Sequence, residues 1–398
     1  MEPDVLVVGA GPAGAAVSIL LARQGYRVVL LERETFPRDK ACAEYLSPAC
    51  SPLLKHLGVL EAVLHASPQR LQGMRITNHR GRSCWGRFLQ EGQFLYGLAL
   101  PRLVLDHLLV QQADQVGVEV CMGFWARQPI VRGKRIIGIR GQQGKRHVTR
   151  KAKLIIAADG LHSTLGRRLG VVRQVRWLRH VALVTHYTGV EALTPWGEMF
   201  LLPGGYIGLA PIGPDLVNVS LVTKATHRRA VAGQPTLWLE QAIQSHTELR
   251  QRFTQARRAK PLLVTGPMAQ RTECPAHDGI LFVGDAAGFF DPFTGQGIYL
   301  ALHGAVLAAT AAQQALETGD VSAQRLQGYY RAHRLAFDDK YRFSQCIQLG
   351  LRVPWLANHV IERFAQRPRL GDTVVSVAGD VLSPKTVLSW HFALRMLV

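Results

Sequence analysis

Residues 4–32 read DVLVVGAGPAGAAVSILLARQGYRVVLLE, and this stretch decides the fold. The apolar runs at its two ends predict buried strands, and the alanine-rich segment between them predicts a helix. Gly9, Gly11 and Gly14 form the pattern GxGxxG where the first strand turns into that helix. The first glycine permits the tight turn, the second lets the backbone approach a pyrophosphate, and the third lets the helix pack closely on the sheet. The stretch therefore predicts a βαβ unit with a dinucleotide site at the N-terminus of its helix.

Glu32 ends the second predicted strand, where an acid can accept hydrogen bonds from both ribose hydroxyls of an adenosine. The same carboxylate would repel a 2′-phosphate. The motif leaves FAD, NAD and other adenosine ligands open. A methyltransferase that uses S-adenosylmethionine shares such a glycine turn and is a further alternative.

The composition is that of a large globular protein with a basic surface. With 398 residues and 47% hydrophobic content, the chain is long enough for two or three domains and a large core. The net charge of +19 predicts an anionic partner, which is a membrane surface, a nucleic acid or a phosphate-bearing ligand.

The cysteines and the N-terminus bear on the compartment. The six cysteines show neither CxxC spacing nor a paired pattern, which disfavours a disulfide framework, and no metal site is expected. The N-terminal residues lack the layout of a signal peptide. The apolar stretch 297–312 is too short to cross a bilayer and contains His303. We therefore expect a cytoplasmic location, either free or at the membrane periphery.

The strand pattern changes along the chain. A single strand is predicted at 118–125, and alternating apolar residues from 178 to 223 predict an antiparallel sheet. Residues 279–287 return to the character of a buried strand, so the antiparallel part interrupts the nucleotide-type strands. Residues 323–365 are predicted to be mainly helical.

The stretch GDAAGFFDPFTGQGIYLAL at 284–302 places an acid among small residues. Asp285 ends a predicted strand, and a helix is predicted to begin near Gln296. A carboxylate at such a strand end can bind polyol hydroxyls, and the N-terminus of the following helix can stabilise negative charge. Reduced flavin has a ribityl chain and a negative edge, whereas NAD has no ribityl chain. The alternative interpretation is an Asp that caps a buried helix.

Three separated motifs carry a resemblance to a known family: VVGAGPAGAAVSILLARQGYRVVLLER, AADGLHSTLGRRLG and GDAAGFFDPFTGQGIYLALHGA. In order and spacing they resemble the FAD-dependent oxidoreductases that include the geranylgeranyl reductases and, more distantly, the aromatic-ring monooxygenases and flavin halogenases. The resemblance implies FAD as cofactor and contact of all three motifs with it. Arg102, in PRLVLDHLL, matches a family arginine that reaches FAD, although an arginine that begins a solvated helix is the alternative. The cofactor-binding residues that the resemblance implies are Gly9, Gly11, Pro12, Ala13, Gly14, Glu32, Arg33, Arg102, Asp159, Gly160, Gly284, Asp285, Pro292, Gly295, Gln296, Gly297 and Ile298.

Together with the strand pattern, the resemblance predicts an α/β fold, α+β overall, with three parts. A Rossmann-like FAD-binding domain is interleaved with a mostly antiparallel substrate-binding domain, and a mainly helical region ends the chain. The expected ranges are 1–70, 95–175 and 265–340 for the discontinuous FAD-binding domain, 71–94 and 176–264 for the substrate-binding domain, and 341–398 for the C-terminal region.

Two residues, Cys42 and Tyr206, are candidate catalytic residues through contact with the substrate. Cys42, in DKACAEYLSP, matches a family cysteine beside the flavin, but Ala43 stands where the family has Gly. A free cysteine is also a common small buried residue. Tyr206 lies in FLLPGGYIGLAPIG, which lacks the Trp-x-Trp of the halogenases, and it either lines a pocket or packs within a strand. His162 and His186 are expected to be surface or core histidines.

Two reactions remain open, both on a lipophilic or aromatic small molecule. In the first, reduced FAD delivers a hydride to a carbon–carbon double bond; in the second, an FAD monooxygenase hydroxylates an electron-rich ring with NAD(P)H and O₂. A second nucleotide-binding glycine motif is absent from the sequence. This suits either NAD(P)H as a transient electron donor or an electron-donor protein.

Basic residues cluster at 132–153, 167–180 and 250–260. These clusters predict contact with an anionic membrane surface, and a solvated basic surface is the alternative. No nucleic-acid partner is expected, because the sequence has no helix-turn-helix, zinc-finger or RNA-binding signature. A basic nucleic-acid- or membrane-binding protein that merely retains FAD is the remote alternative.

Overall fold

The computed structural model describes residues 2–227 and 233–397; residues 1, 228–232 and 398, which fall within the predicted domain ranges, lie outside the described part. A five-stranded parallel sheet forms the centre of the nucleotide-type half of the chain. Its strands, in spatial order, are Ile280–Phe282, Leu154–Ala157, Val5–Val8, Val28–Leu31 and Glu119–Cys121. The strand after the antiparallel part thus returns to the first sheet, as the sequence predicts.

Both faces of the parallel sheet are covered, which explains why its strands read as continuous apolar runs. Side chains such as Val7 pack against helices on one face, whereas those such as Leu6 pack against a small antiparallel sheet on the other. The helices on the first face include Pro12–Arg23, Arg102–Gln115 and Gly297–Glu317, and the small sheet consists of Phe124–Arg132, Arg135–Gln143 and Arg146–Lys151.

The single strand predicted at 118–125 is wrong in its extent. Glu119–Cys121 belongs to the parallel sheet, and the chain then turns at Gly123, whose φ is +71°, before Phe124 begins the basic antiparallel sheet. Glycine adopts this left-handed conformation at little cost, so the turn separates two strands that the apolar pattern had joined.

A nine-stranded sheet forms the second layer, and its strands are antiparallel to one another except for the parallel pair Gly197–Leu202 and Gly73–Thr77. The other strands are Arg257–Arg258, His180–Thr188, Val217–Lys224, Gly205–Pro211, Ser83–Gln90, Gln93–Leu95 and Leu263–Thr265. The outer face packs on the helices Pro235–Gln244 and Thr247–Arg252. The inner face packs on residues next to the cofactor motifs and on the C-terminal helices.

Shorter elements connect these layers. Two further three-stranded sheets consist of Tyr45–Leu46, Gly97–Ala99 and Gln69–Leu71, and of Val172–Gln174, Gln270–Thr272 and Gly288–Phe289. The remaining helices are Cys50–His56, Leu60–His65, Thr164–Arg168, Ala323–Leu351, Pro354–Gln366, Pro368–Ala378 and Trp390–Leu397, with short 3₁₀ turns at Ala225–His227, Gly284–Ala286 and Pro384–Thr386.

The architecture confirms the predicted α/β class with an antiparallel sheet and a helical C-terminal region. Within residues 2–227 and 233–397, no helix combines the length and apolar character that crossing a bilayer requires.

Candidate cofactor and substrate site

The glycine turn has the geometry of a dinucleotide cradle. Gly9 has φ +101° and faces the carbonyl of Ala158, so a side chain there would overlap the neighbouring strand. A Cβ at Gly14 would overlap the carbonyl of Gly9, which requires glycine where the helix lies closest to the turn. Gly11, by contrast, faces open space, which leaves room for a ligand at the start of the helix. Pro12 begins that helix, and both Pro12 and Ala13 are buried.

Glu32 lies at this turn and is buried. Its carboxylate accepts hydrogen bonds from the backbone N–H of Ala10 at 2.8 Å and of Glu34 at 2.9 Å. The guanidinium of Arg38 lies 3.9 Å from Glu32 Oε2. Arg33 is exposed, and its guanidinium pairs with Glu34. The structure thus places Glu32 at the turn, with Arg38 as its neighbouring cation.

A second buried ion pair lies beside the turn. Arg102 begins the helix Arg102–Gln115, and its guanidinium donates two 2.7 Å hydrogen bonds to the carboxylate of Asp106, one turn later. Burial opposes the charge of Arg102, but Asp106 and the neighbouring Cys42 outweigh burial and raise its pKa. Arg38 joins the same carboxylate at 3.2 Å. Arg102 is therefore a fixed cation held by Asp106, not a solvated residue at a helix start.

Asp159 and Gly160 belong to the second motif and follow the strand Leu154–Ala157. One carboxylate oxygen of Asp159, Oδ2, accepts the backbone N–H groups of Thr164 at 2.7 Å and Leu165 at 3.2 Å. The other, Oδ1, is buried without a hydrogen-bond partner in the described part of the chain. Burial raises the pKa of Asp159, against these hydrogen bonds. An orphaned oxygen of this kind is suited to accept from a ligand.

Asp285 lies on the 3₁₀ turn that follows the strand Ile280–Phe282, with Gly284 at φ +60° before it. The pKa of Asp285 is raised, because burial raises it more than the cations Lys40 and Arg102 lower it. The side chain of Lys40 is exposed. Partial desolvation by the surrounding protein, followed by repulsion from Arg102, lowers its pKa. The first and third motifs meet where a Cβ built at Gly284 would lie 2.7 Å from the Cβ of Ala13, and a Cβ built at Gly160 of the second motif would lie 3.4 Å from Lys40 Nζ.

The turn after Asp285 leads into the helix Gly297–Glu317, as the sequence predicts. Gly295 has φ +68°, its N–H donates to the carbonyl of Pro292 at 3.0 Å, and a Cβ there would lie 2.7 Å from the ring of Tyr45. Gln296 precedes the helix and is buried. The first N–H groups of an α-helix have no partner within the helix, so Gly297 and Ile298 present donors at this end.

Cys42 lies in a loop held by a buried polar cluster around Glu44, which has φ +58°. Glu44 Oε2 lies 2.7 Å from His186 Nε2 and accepts the side-chain amide of Asn218 at 3.0 Å. Glu44 Oε1 accepts the backbone N–H of Arg102 at 2.8 Å. Asn218 also donates to the carbonyl of Cys42 at 2.8 Å, and the Cys42 sulfur accepts the N–H of Glu44 at 3.4 Å. The cluster fixes this loop against the large sheet.

Tyr206 belongs to a second buried cluster, centred on Asp291. Asp291 Oδ1 accepts from the Tyr206 hydroxyl at 3.2 Å and from the Gln348 amide at 2.6 Å. It also accepts the backbone N–H of Phe293 at 2.9 Å, and Asp291 Oδ2 lies 2.8 Å from His180 Nδ1. Burial, and then Asp291, raise the pKa of Tyr206, which keeps its phenol protonated.

An apolar surface separates the two clusters. His180 and His186 lie on the same face of one strand, six residues apart, which corresponds to about 20 Å. The inner-face side chains on this and the adjoining strands are mostly apolar, and they pack in one cluster with residues beside the cofactor motifs. These residues are Ala182, Val184, Met199, Leu201, Tyr206 and Val222 on the sheet, and Ala41, Leu161, Phe289 and Phe293 beside the motifs.

Four residues of the site were not predicted from the sequence: Arg38, Lys40, Glu44 and Asp291. Asp291 stands inside the third motif, directly after Phe290 and two residues before Phe293, and an acid among aromatic residues was a usable signal. The other three gain their significance only from tertiary contacts with residues far along the chain. His186 was expected to be a surface or core histidine, and it is a buried residue paired with Glu44.

These residues fit FAD. The open face at Gly11 can take a pyrophosphate, Glu32 can accept hydrogen bonds from a ribose, and Asp159 and Asp285 offer carboxylates, that of Asp285 within the electrostatic influence of Lys40 and Arg102. A dinucleotide cradle next to the apolar inner face of an antiparallel sheet defines the class: this is an FAD-dependent oxidoreductase.

The comparison with protein families agrees with this assignment. A family model described as FAD binding domain matches residues 2–341, and the chain belongs to that family. FAD is accordingly its cofactor.

Individual relatives span most of the chain. The chain is 28% identical to digeranylgeranylglycerophospholipid reductase 2 of Methanopyrus kandleri over 404 residues, covering 98% of each protein. It is 31% identical to menaquinone reductase of Mycobacterium tuberculosis over 328 residues, covering 77% of this chain and 75% of the relative.

Solved structures share the fold. A geranylgeranyl bacteriochlorophyll reductase-like protein from Thermoplasma acidophilum superposes with a TM-score of 0.75 at 24% identity, over 100% of this chain and 96% of the other. Flavin-dependent halogenases are similar in fold as well, at 20% and 21% identity.

Proposed function

We propose that the protein reduces a carbon–carbon double bond of a lipophilic substrate. The observation that carries this proposal is the apolar inner face of the large sheet, about 20 Å long between His180 and His186 and packed against residues next to the cofactor motifs. These side chains are already excluded from water, and an elongated apolar ligand that entered between the sheet and the residues covering it would keep them so. The named activities of the relatives, reduction of a digeranylgeranyl lipid and of menaquinone, support the same substrate class.

When bound and reduced, FAD supplies a hydride for the substrate carbon, and a proton from solvent completes saturation of the double bond. The proposed role of the protein residues is to hold and orient FAD and the substrate. Gly9, Gly11 and Gly14 accommodate the dinucleotide. Asp285, which is under the electrostatic influence of Lys40, binds the ribityl chain. The other residues assigned to FAD are proposed in the same roles, namely Pro12, Ala13, Glu32, Arg33, Arg102, Asp159, Gly160, Gly284, Pro292, Gly295, Gln296, Gly297 and Ile298.

Cys42 and Tyr206 are proposed to contact the substrate from opposite ends of the apolar surface. Cys42 is held by the Glu44 cluster, and Tyr206 is held by Asp291. Because its phenol stays protonated and donates its proton to Asp291, Tyr206 is better suited to accept a hydrogen bond and shape the pocket than to act as an acid.

The predicted division of the chain is retained as part of the proposal. Residues 71–94 and 176–264 supply most of the sheet that faces the substrate, and 1–70, 95–175 and 265–340 hold FAD. Residues 341–398 close the inner face of the sheet through residues such as Phe364 and Leu370.

The electron donor is proposed to be NAD(P)H, docked transiently, with an electron-donor protein as the other source. We also propose that the basic surface places the protein at the periphery of an anionic membrane, where a lipophilic substrate is available.

Isotope labelling tests the reaction. The FAD-loaded protein is given NADPH, NADH or dithionite together with a polyprenyl lipid or a menaquinone, with and without oxygen. We expect a product that gains two hydrogens per reduced bond and forms at the same rate without oxygen. Incorporation of label from ¹⁸O₂ would overturn the proposal and identify a monooxygenase. Boiled protein and protein stripped of FAD serve as controls.

A further inference from the structure

A group of exposed apolar and basic side chains projects where two C-terminal helices meet. We propose that Trp177, Leu349, Arg352 and Trp355, here called the tryptophan corner, dock the protein on an anionic lipid surface. This inference rests on the proposed function and names the face through which a lipophilic substrate reaches the site. The exposed fractions are 39% for Trp177, 53% for Leu349 and 71% for Trp355, which are large values for such side chains.

The corner is built by the junction of two helices. Arg352 follows the last residue of the helix Ala323–Leu351, and Leu349 lies three residues before it, on the same side of the helix end. Trp355 is the second residue of the helix Pro354–Gln366. The guanidinium of Arg352 lies 4.7 Å from the ring centre of Trp177 and donates a hydrogen bond to its carbonyl. Trp177 is thereby tied to the junction.

Arginine predominates around the corner, where the acids Glu273 and Asp339 pair with Arg173 and Arg342. Residues 160–190 contain five arginines and no Asp or Glu, and residues 341–361 contain Arg342 and Arg352 and no Asp or Glu. Arg176 and Arg179, on either side of Trp177, are exposed. Tryptophan and leucine surrounded by arginine suit the boundary between lipid head groups and acyl chains, where the rings enter and the cations attract anionic heads.

The corner borders one end of the apolar surface of the site. The ring of Trp177 packs edge to face on Phe290, with ring centres 5.9 Å apart, and the next residue, Leu178, is buried with Phe290. Phe290 directly precedes Asp291, which pairs with His180 at the start of the sheet strand. A lipid that leaves the bilayer at Trp177 therefore arrives beside the Asp291 cluster.

Cosedimentation of the full-length, FAD-loaded protein with vesicles tests the proposal. The vesicles are phosphatidylcholine alone or with roughly one-third phosphatidylglycerol. We expect binding only to the anionic vesicles, about tenfold weaker for Trp355→Ala combined with Leu349→Ala, because two apolar side chains leave the interface. Arg176→Glu combined with Arg179→Glu is also expected to weaken binding at least about tenfold.

Matched substitutions elsewhere serve as controls. Leu335→Ala removes a leucine that is 88% exposed on the same helix, and Trp125→Ala removes an exposed tryptophan from another basic surface. Lys145→Glu with Arg146→Glu reverses two exposed charges on the small antiparallel sheet. Of the three basic clusters, only 167–180 contributes to the corner, so these controls should bind anionic vesicles within about twofold of the unaltered protein. Quenching by brominated lipid should fall on Trp355→Ala but not on Trp125→Ala.

The proposal would be overturned by equal binding of the corner variants and the unaltered protein, by equal binding to neutral vesicles, or by a dimer that Trp355→Ala abolishes. Binding of duplex DNA that the corner variants lose, with vesicle binding unchanged, would do the same.

Reduction of a short-chain soluble analogue should be unaffected by the corner variants, while turnover of a vesicle-embedded substrate falls. A protein that binds vesicles normally but reduces no substrate would refute the proposed function and leave the docking surface standing.

Discussion

The side-chain amide of Gln296 donates a 2.7 Å hydrogen bond to Asp380 Oδ1, which joins the turn before the long helix to the C-terminal region. The same carboxylate oxygen lies 2.6 Å from Lys340 Nζ, and Oδ2 accepts from the Ser47 hydroxyl at 2.8 Å. Burial raises the pKa of Asp380, against the opposing effect of Lys340. One buried acid therefore connects the candidate flavin turn with two other parts of the chain.

Asp380→Asn should destabilise the protein by roughly 3–5 kcal/mol, because it leaves the buried ammonium of Lys340 without its anion. Urea unfolding of the FAD-free protein measures this loss separately from cofactor binding. Combining Asp380→Asn with Lys340→Met should recover much of the stability, since no unpaired charge remains. The account would be wrong if Asp380→Asn unfolds at the same urea concentration as the unaltered protein.

Gln296→Ala removes one hydrogen bond to Asp380 but leaves the ion pair with Lys340 intact. We expect a loss of about 1 kcal/mol in the free energy of unfolding, together with weaker FAD binding if the turn holds the flavin. Titration of the FAD-free protein with FAD, followed by flavin fluorescence, measures the second effect. Unchanged FAD affinity would remove Gln296 from the proposed cofactor site.

Asp285→Ala should lose bound flavin absorbance while the protein stays folded. The charges of Lys40 and Arg102 act on this carboxylate, which accepts no hydrogen bond in the described part of the chain, so its removal leaves no protein donor unsatisfied. Asp339→Asn, which changes an acid paired with Arg342 on the surface, is the matched control and should keep full FAD occupancy. Full occupancy in Asp285→Ala, measured by the ratio of flavin to protein absorbance, would refute the proposed role.

Tyr206→Phe keeps the ring that packs edge to face on Phe293 and removes only the hydroxyl that donates to Asp291. If Tyr206 contacts the substrate, kcat/KM for the lipophilic substrate should fall about tenfold, while stability falls by only about 1 kcal/mol. Tyr187→Phe is the control, because Tyr187 is buried on the opposite face of the same sheet. Equal kinetic losses in the two variants would show that Tyr206 acts only through packing.

The sequence predicted the parts of the fold that depend on local pattern. The apolar run 4–8, the glycines that follow it and the helix after Gln296 are each written within a short stretch of chain, so spacing alone identified them. The pairing of Glu44 with His186 and of Lys340 with Asp380 joins residues 142 and 40 positions apart. No local pattern encodes such contacts, because they depend on how the sheets and helices pack. The turn at Gly123, which separates two strands, is local but was not predicted. Apolar residues lie on both sides of it, and only the backbone conformation shows that the chain turns there.

His333 should make the stability of the protein fall as the solution becomes acidic. Its ring packs edge to face on Phe337, with ring centres 4.7 Å apart, and burial followed by repulsion from His303 lowers its pKa from 6.5 to about 4. Between these two values the unfolded chain binds more protons than the folded one, so the free energy of unfolding decreases as the pH falls from 6.5 to 4. The contribution of His333 to this decrease is about 3 kcal/mol.

His333→Gln should flatten that part of the curve in urea unfolding between pH 7 and pH 4.5, whereas His147→Gln, at an exposed site, should leave the slope unchanged. An identical slope in His333→Gln and the unaltered protein would show that the ring is protonated as readily in the folded chain as in the unfolded one.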